Sequence, residues 1–215
     1  MATFDFKKAQ KDLYAPKTLP SVVDVPNMRF IMVDGKGNPN TSKAYASAIE
    51  ILYGLSYGIR MNKPEAGYFA YVVPPLEGLW RLEDGGEFKG NGAIEDKDQF
   101  VWTAMIRQPD FVTDEVFEKA KQTLAKKKPY LDLSLARLED FTEGLCVQVM
   151  HIGPYDDEPA TIANMEDYTK QAGYVNDIHG ARRHHEIYLS DPRKSAPEKM
   201  KTIIRHPIRR ADPKV

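Results

Sequence analysis

The segment His184-His-Glu-Ile-Tyr-Leu189 carries the residue types that are best suited to chemistry in this chain. Its apolar and aromatic residues predict a β-strand, and side chains alternate between the two faces of a strand. His184, Glu186 and Tyr188 therefore share one face, while the other face is mostly apolar and should pack against a helix. The Glu186 carboxylate either pairs with a nearby arginine on a wet surface or lines a cavity. The spacing alone leaves both interpretations open.

A sequence repeat helps to choose between these interpretations. Two apolar segments each end at a glycine, Gly35 and Gly153, which are 118 positions apart. Further along, the offset shrinks to 98, which aligns Arg107 with Arg205, so the first copy contains an insertion that we place at residues 76–98. Two copies of one unit tend to pack about a pseudo-twofold axis, and a groove between them is the expected ligand site.

The two copies differ at the residues that bear on chemistry. The offset of 118 aligns Glu186 with Tyr68, and Tyr188 with Ala70. A pocket on the pseudo-twofold axis would therefore hold one carboxylate, which suits a flat aromatic or cationic ligand. Desolvation among aromatic rings should raise the proton affinity of that carboxylate, so Glu186 is a candidate general base or acid.

Aromatic residues supply the remaining candidates for ligand contact. Trp80 lies in the insertion, which we interpret as a long loop, and Trp102 lies in a predicted strand. Tyr155 follows Gly153 and Pro154, so the turn should direct it toward the strand ends. The predicted substrate-binding set is Trp80, Trp102, Tyr53, Tyr57, Tyr68, Tyr71, Tyr188 and His184.

The elements that must position these residues follow an α+β plan. We interpret residues 1–19 as a polar arm and residues 20–210 as a single domain, whose first repeat covers 20–128 and whose second covers 129–210. Each repeat is predicted to be a β-α-β-β unit. The two units should form antiparallel sheets with helices on one side and a ligand groove between the repeats.

Local signals predict eight strands and three substantial helices. Hairpins are expected within 21–34 and 133–152, and a strand is expected at Gly67–Val73. One helix should cover Thr113–Lys127 with Thr113 as its N-cap, and another should cover Asp157–Ala172.

Composition and charge exclude several classes of protein. Thirty basic and 31 acidic residues nearly cancel, so nucleic acid is not expected as a partner. The single cysteine, Cys146, lies in an apolar segment, which favours a buried hydrophobe over a nucleophile. No apolar run is long enough to cross a membrane, and the charged N-terminus is unlike a signal peptide. We therefore expect a cytoplasmic protein.

No cofactor or metal is predicted. His184 and His185 face opposite sides of a strand, so they cannot chelate one ion together. The sequence contains no Gly-rich phosphate loop and no Gly-x-Ser-x-Gly motif. It leaves the oligomeric state open.

Two motifs resemble a known family. His151-Ile-Gly-Pro-Tyr155, followed by Glu186-Ile-Tyr-Leu-Ser-Asp-Pro192, is similar to the GyrI-like small-molecule-binding superfamily, over about residues 20–210. The resemblance implies two β-α-β-β units with a ligand groove between them, and a buried acidic ligand contact at Glu186. Regulators of this superfamily carry an N-terminal DNA-binding region, which residues 1–19 are too short to supply.

A narrower resemblance points to an activity. The segment Phe30-Ile-Met-Val-Asp-Gly-Lys-Gly-Asn-Pro-Asn40 and the tryptophan-bearing insertion resemble a bacterial subgroup of cyclopropanoid hydrolases. Those enzymes open the cyclopropane of DNA-alkylating natural products and so detoxify them.

Two hypotheses for the function remain. In the first, Glu186 activates a water that attacks the strained ring, and a hydroxyl of Tyr155 or Tyr188 binds the oxygen that gains charge. Trp80, Trp102 and Tyr71 would then sandwich a planar substrate. In the second, the chain is a non-catalytic multidrug-binding protein, or resembles the gyrase inhibitor, and Glu186 is only a counter-charge for cationic ligands.

Overall fold

The computed structural model describes residues 3–63, 67–83 and 96–211. The helices are α1 (Phe6–Ala9), α2 (Lys11–Tyr14), α3 (Lys43–Asn62), α4 (Asp114–Lys127) and α5 (Glu158–Gln171). The strands are β1 (Ser21–Lys36), β2 (Leu76–Leu82), β3 (Phe100–Gln108), β4 (Ala136–Ile152), β5 (Tyr174–Asn176), β6 (His184–Tyr188) and β7 (Lys201–Arg210).

Six strands close into a barrel-like ring, which confirms the predicted α+β class with antiparallel pairing. The order is β4-β1-β3-β2-β6-β7, and β7 pairs back onto β4. The short β5 extends the far end of β7. The elements follow one another as β1-α3-β2-β3 and as β4-α5-β5-β6-β7, with α4 between the two series. Helices α3 and α5 pack on the outside of strands from their own series.

The two predicted hairpins are wrong, because each is one long strand. β1 has 16 residues and β4 has 17, and they pair with each other along most of their length. Pro26 was interpreted as a turn, but it lies within β1, between residues whose pairs continue in one register on either side. A proline fits a strand where no ladder N–H is required. Gly144 of β4, with φ 72°, lies close by and favours a local distortion of the ladder.

Strand register tests the predicted alignment of the two copies. Phe30 pairs with Arg107, and their counterparts at offsets of 118 and 98, Gln148 and Arg205, also pair. Those offsets therefore agree with the register of the outer strands.

The middle strands require a different offset. Ile106 pairs with Leu76, and its counterpart Ile204 pairs with Glu186. Leu76 thus takes the place of Glu186 in the first copy, and the predicted match between Glu186 and Tyr68 is wrong.

The strand predicted at Gly67–Val73 is also absent, and the second strand lies later, at β2. Within 67–73 only Tyr71 makes a bridge, to Phe4. The first part of the insertion, 76–82, was predicted as loop but forms β2, so Trp80 is a strand residue that pairs with Trp102 and His184. The central part of the insertion, 84–95, lies outside the described residues.

The interior of the barrel contains a buried charged network under an apolar cap. His185 lies between Glu77 and Glu143, with ring nitrogens 3.0 Å from each carboxylate. The Arg205 guanidinium is 3.0 Å from Glu143. We expected the face of His185 to pack on a helix, but this expectation is wrong, because the His185 side chain lies inside the barrel.

The N-terminal arm closes this interior instead of remaining a polar extension. Leu13 and Tyr14 of α2 and Phe6 of α1 are buried in the same apolar cluster as Phe30. The main-chain oxygen of Leu13 accepts a hydrogen bond from Arg205 at 2.9 Å. Cys146 is fully buried, as predicted for a small hydrophobe.

Candidate functional site

A cavity of about 760 Å³ opens outside the barrel, beside the face of β6 that carries Glu186. Its walls come from α3, β2, β6, the start of α5 and the segments 73–75 and 189–193. Aromatic rings dominate the lining, and they are Tyr45, Tyr53, Tyr57, Trp80, Phe100, Tyr155 and Tyr188. Ligand sites are typically concave and mostly apolar, with few polar groups.

Glu186 projects into this cavity, which favours the cavity interpretation over the wet-surface one that its spacing had left open. His184 Nε2 is 2.9 Å from Glu186 Oε1. The other ring nitrogen of His184 hydrogen-bonds His206 Nε2 at 2.7 Å. Burial, and then the neighbouring His184, hold the pKa of His206 well below its usual value. A neutral His206 and an oriented His184 thus fix one carboxylate oxygen of Glu186.

Tyr188 links the aromatic wall to the carboxylate. Trp80 Nε1 donates a hydrogen bond to the Tyr188 hydroxyl at 3.0 Å, and Tyr45 also hydrogen-bonds that hydroxyl. Tyr188 in turn donates to Glu186. The donor capacity of Tyr188 is therefore used within the protein, and Glu186 accepts from two sides.

Tyr155 is placed to offer its hydroxyl to a ligand. It follows Gly153, whose φ of 142° favours glycine, and it lies at the start of the turn that leads into α5. Its ring meets that of Tyr188 edge to face, with centroids 5.8 Å apart. Burial and the Glu186 charge raise the pKa of Tyr155 to about 12, so its hydroxyl keeps the proton at neutral pH.

Glu158 is the main site residue that the sequence interpretation missed. It begins α5, is only 6% exposed and lines the same cavity as Glu186. Burial, and then the Glu186 charge, raise the pKa of Glu158 well above its usual value. An acidic residue in the first turn of a helix is common because it complements the helix dipole, so sequence alone did not distinguish it.

Two further lining residues were also missed, and a sequence signal existed for one of them. Tyr45 lies on the buried stripe of α3, and the helical spacing of apolar residues around it is the signal that could have found it. Phe100 packs against Trp80, with ring centroids 5.4 Å apart. Helical or strand periodicity marks a buried face without showing whether the burial is against core or cavity.

The predicted substrate-binding residues divide into two groups. Those that line the cavity are Trp80, Tyr53, Tyr57 and Tyr188. Trp102 is buried in the core under Gly35, and Tyr71 is buried in the barrel cluster. Tyr68 hydrogen-bonds the main chain of Arg60. His184 lies behind Glu186 and reaches the cavity only through it.

Three side chains bring potential metal-ligand atoms together. One such atom from each of Glu158, His184 and Glu186 lies within 4.8 Å of the others. The nitrogen of His184 and the oxygen of Glu186 are already at hydrogen-bond distance, so they satisfy each other without an ion. We therefore do not assign them as metal ligands, and the absence of a metal stays a prediction.

Family comparison agrees with this geometry. The model of the GyrI-like small molecule binding domain matches residues 19–209. The chain belongs to the GyrI-like family. Its cavity, lined by aromatic rings around Glu186, is accordingly the candidate site for a small molecule. A search of curated protein sequences found no significant match.

Solved structures of similar chains extend the comparison. An uncharacterized conserved protein from Listeria innocua is 49% identical with a TM-score of 0.89, and the match covers 96% of this chain and 100% of that one. A hydrolase from Listeria innocua is 46% identical with a TM-score of 0.86, over the same shares of the two chains.

A more distant match is informative about the fold alone. The EcmrR C-terminal domain is 12% identical with a TM-score of 0.52, over 89% of this chain and 98% of that one. Among the described residues, no helix combines the length and the apolar character needed to span a membrane.

Proposed function

We propose that this GyrI-like protein hydrolyses planar aromatic electrophiles in the cavity, and that it opens the cyclopropane of DNA-alkylating natural products. The observation that carries the proposal is the Glu186 carboxylate, held by two protein donors within an aromatic cavity. A hydrolase from Listeria innocua that is 46% identical over 96% of this chain supports a hydrolytic reaction.

Glu186 acts as the general base. It accepts a proton from a water, whose oxygen forms a bond to the strained ring carbon while the ring carbon–carbon bond breaks. His184 and Tyr188 orient the carboxylate toward the cavity, and a positioned base of this kind contributes about 10²–10⁴-fold to the rate.

Tyr155 binds the substrate oxygen that receives the electron pair of the broken bond. Its raised pKa keeps the hydroxyl protonated, so it can donate a hydrogen bond to a developing oxyanion. No protein partner of the Tyr155 hydroxyl is found within the part of the chain that the structure describes. Tyr188 is less suited to this role, because its own proton goes to Glu186.

The aromatic wall holds the planar body of the substrate. Trp80 is fixed by its hydrogen bond to Tyr188, and Tyr53 and Tyr57 stack on each other with ring centroids 6.1 Å apart. Rigid rings bury large apolar area with little loss of side-chain freedom. This set replaces Trp102 and Tyr71 of the sequence-based hypothesis.

Mass spectrometry after incubation tests the proposal directly. A cyclopropane-bearing alkylating natural product should gain the mass of one water with the protein, and should remain unchanged in buffer alone. Recovery of every such compound unchanged, together with tight binding, would instead identify a non-catalytic drug-sequestering protein.

A further inference from the structure

Two of the carboxyl groups that line the cavity lie close together, where the sequence predicted a single one. Glu158 from α5 and Glu186 from β6 both line it, and they offer oxygens within 4.8 Å of each other. Two ionised carboxylates at this separation repel strongly in a poorly solvated site, so a close pair of this kind tends to retain one proton.

The two carboxyls have unequal surroundings. Glu186 accepts hydrogen bonds from the side chains of His184 and Tyr188. Glu158 is buried, and its Oε1 has no hydrogen-bond partner among the described residues. The proton of the pair therefore resides on Glu158.

Other groups around Glu158 do not reverse this assignment. The titratable groups that face it are Glu186, His184 and Tyr188 from β6, Tyr155 and Asp156 from the turn before α5, and Lys97 from the segment before β3. Lys97 lowers the Glu158 pKa, but it forms a 2.8 Å ion pair with Asp156. The N-terminus of α5 also favours negative charge, but burial and Glu186 outweigh both.

We propose that the cavity binds planar aromatic cations in exchange for the proton of Glu158. The inference rests on the cavity being the ligand site, as proposed above, but does not depend on hydrolysis. A cation held among Tyr45, Tyr53 and Trp80 gains attraction from the ring faces and also neutralises the second carboxylate. In the bound state, Glu158 and Glu186 are thus both carboxylates and lie beside the ligand cation. In the free state, Glu186 is a carboxylate and Glu158 is a carboxylic acid.

Isothermal titration calorimetry with ethidium tests the exchange. Ethidium is a planar, permanently charged phenanthridinium, so it releases no proton of its own between pH 6 and 9. Titrations at one pH in buffers of different ionisation enthalpy give the number of protons released per ligand. We expect a value approaching one proton at pH 6, and an affinity that rises by up to about tenfold per pH unit while Glu158 is protonated in the free protein.

Two variants and a neutral ligand show which residue releases the proton when ethidium binds. Glu158→Gln keeps the shape of the protonated acid, so it should fold, bind ethidium without proton release and lose the pH dependence of affinity. Glu166→Gln removes a carboxyl from α5 outside the cavity lining and should behave as the unaltered protein does. Neutral phenanthridine should bind without proton release.

The outcomes separate this inference from the proposed reaction. Ethidium binding without proton release in the unaltered protein would overturn the exchange. Unchanged release in Glu158→Gln would overturn it as well, because another group would then supply the proton. A failure to hydrolyse any cyclopropane, with release intact, would overturn only the reaction. Absence of ethidium binding would overturn the cation site and leave the hydrolysis assay to decide the rest.

Discussion

At the scale of single residues, a substitution of Glu186 distinguishes a loss of catalysis from a loss of binding. Glu186→Gln keeps the size of the side chain and its ability to accept from Tyr188, but it removes the base. We expect kcat to fall by about 10²–10⁴-fold. The Kd for an uncharged substrate should change much less, and both constants are measured on the compound that gains water.

Glu166→Gln is the matched control for the loss of a carboxylate elsewhere on the protein. Full turnover by Glu186→Gln would contradict the assignment of Glu186 as the base.

Gly78 controls the hydrogen bond that positions Trp80. A Cβ at this position would lie 2.6 Å from Trp80 Nε1 and 3.1 Å from the Tyr188 hydroxyl. Gly78→Ala should therefore displace the indole and weaken ligand binding, and it should lower the free energy of unfolding by about 1–3 kcal/mol, which is the usual cost of overpacking. Fluorescence titration of the folded variant measures the loss of binding.

Gly58 supplies the comparison for that substitution. It lies within α3, and a Cβ there would meet no atom within 4 Å. Gly58→Ala should raise the free energy of unfolding by about 0.5–1 kcal/mol, because glycine is unfavourable inside a helix. Equal effects of the two substitutions on binding would refute the role given to Gly78.

At the scale of elements, the charged network inside the barrel makes stability depend on pH. Burial opposes the charged form of His185, but Glu143 outweighs it and raises the pKa of His185 to about 9, from 6.5. Burial likewise opposes ionisation of Glu143, but His185 and Arg205 lower its pKa to about 2, from 4.5.

The signs of these shifts define a window of maximum stability. The contribution of His185 is fully present below pH 6.5 and is lost as the pH rises through about 9. That of Glu143 is present above pH 4.5 and is lost as the pH falls through about 2. The contribution of this network to the free energy of unfolding should thus be largest between about pH 4.5 and 6.5, as measured by chemical denaturation of the protein with and without His185→Gln.

His185→Gln tests the network at its centre. It leaves Glu77 and Glu143 facing each other without the cation between them, and we expect a loss of about 3–5 kcal/mol at pH 6. It should also reduce the decline in stability between pH 6.5 and 9. A variant as stable as the unaltered protein would show that the ion pairs contribute nothing net.

At the scale of the whole molecule, the ring closes only when both series of elements are present. β1 pairs with β4, and β2 pairs with β6, so each half contributes edges that the other covers. Residues 1–128 and 129–215, expressed separately, should each lack a cooperative unfolding transition, because open strand edges and half a core remain exposed.

Co-expression of the two halves should restore a single transition, monitored by near-UV circular dichroism. Cooperative unfolding of either half alone would show that the repeats are independent domains.

Features that depend on near neighbours in the chain could be predicted from the residues alone. Thr113 caps α4, as predicted, and α5 begins at Glu158, within one residue of the predicted start. The alternation along β6 correctly directed Glu186 and Tyr188 to one face. Helix caps and strand faces are set by contacts within a few residues, which a local pattern encodes.

Contacts between residues that are distant in the chain depend on how the strands and helices pack in three dimensions. Strand register shows that the counterpart of Glu186 in the first copy is Leu76, and not Tyr68. The sequence alignment missed this, because a misplaced insertion shifts every later match. Ring closure buried Trp102 in the core. The packing of α5 against the barrel brings Glu158 close to Glu186. The two residues are far apart in the sequence, so no local pattern predicts that they meet.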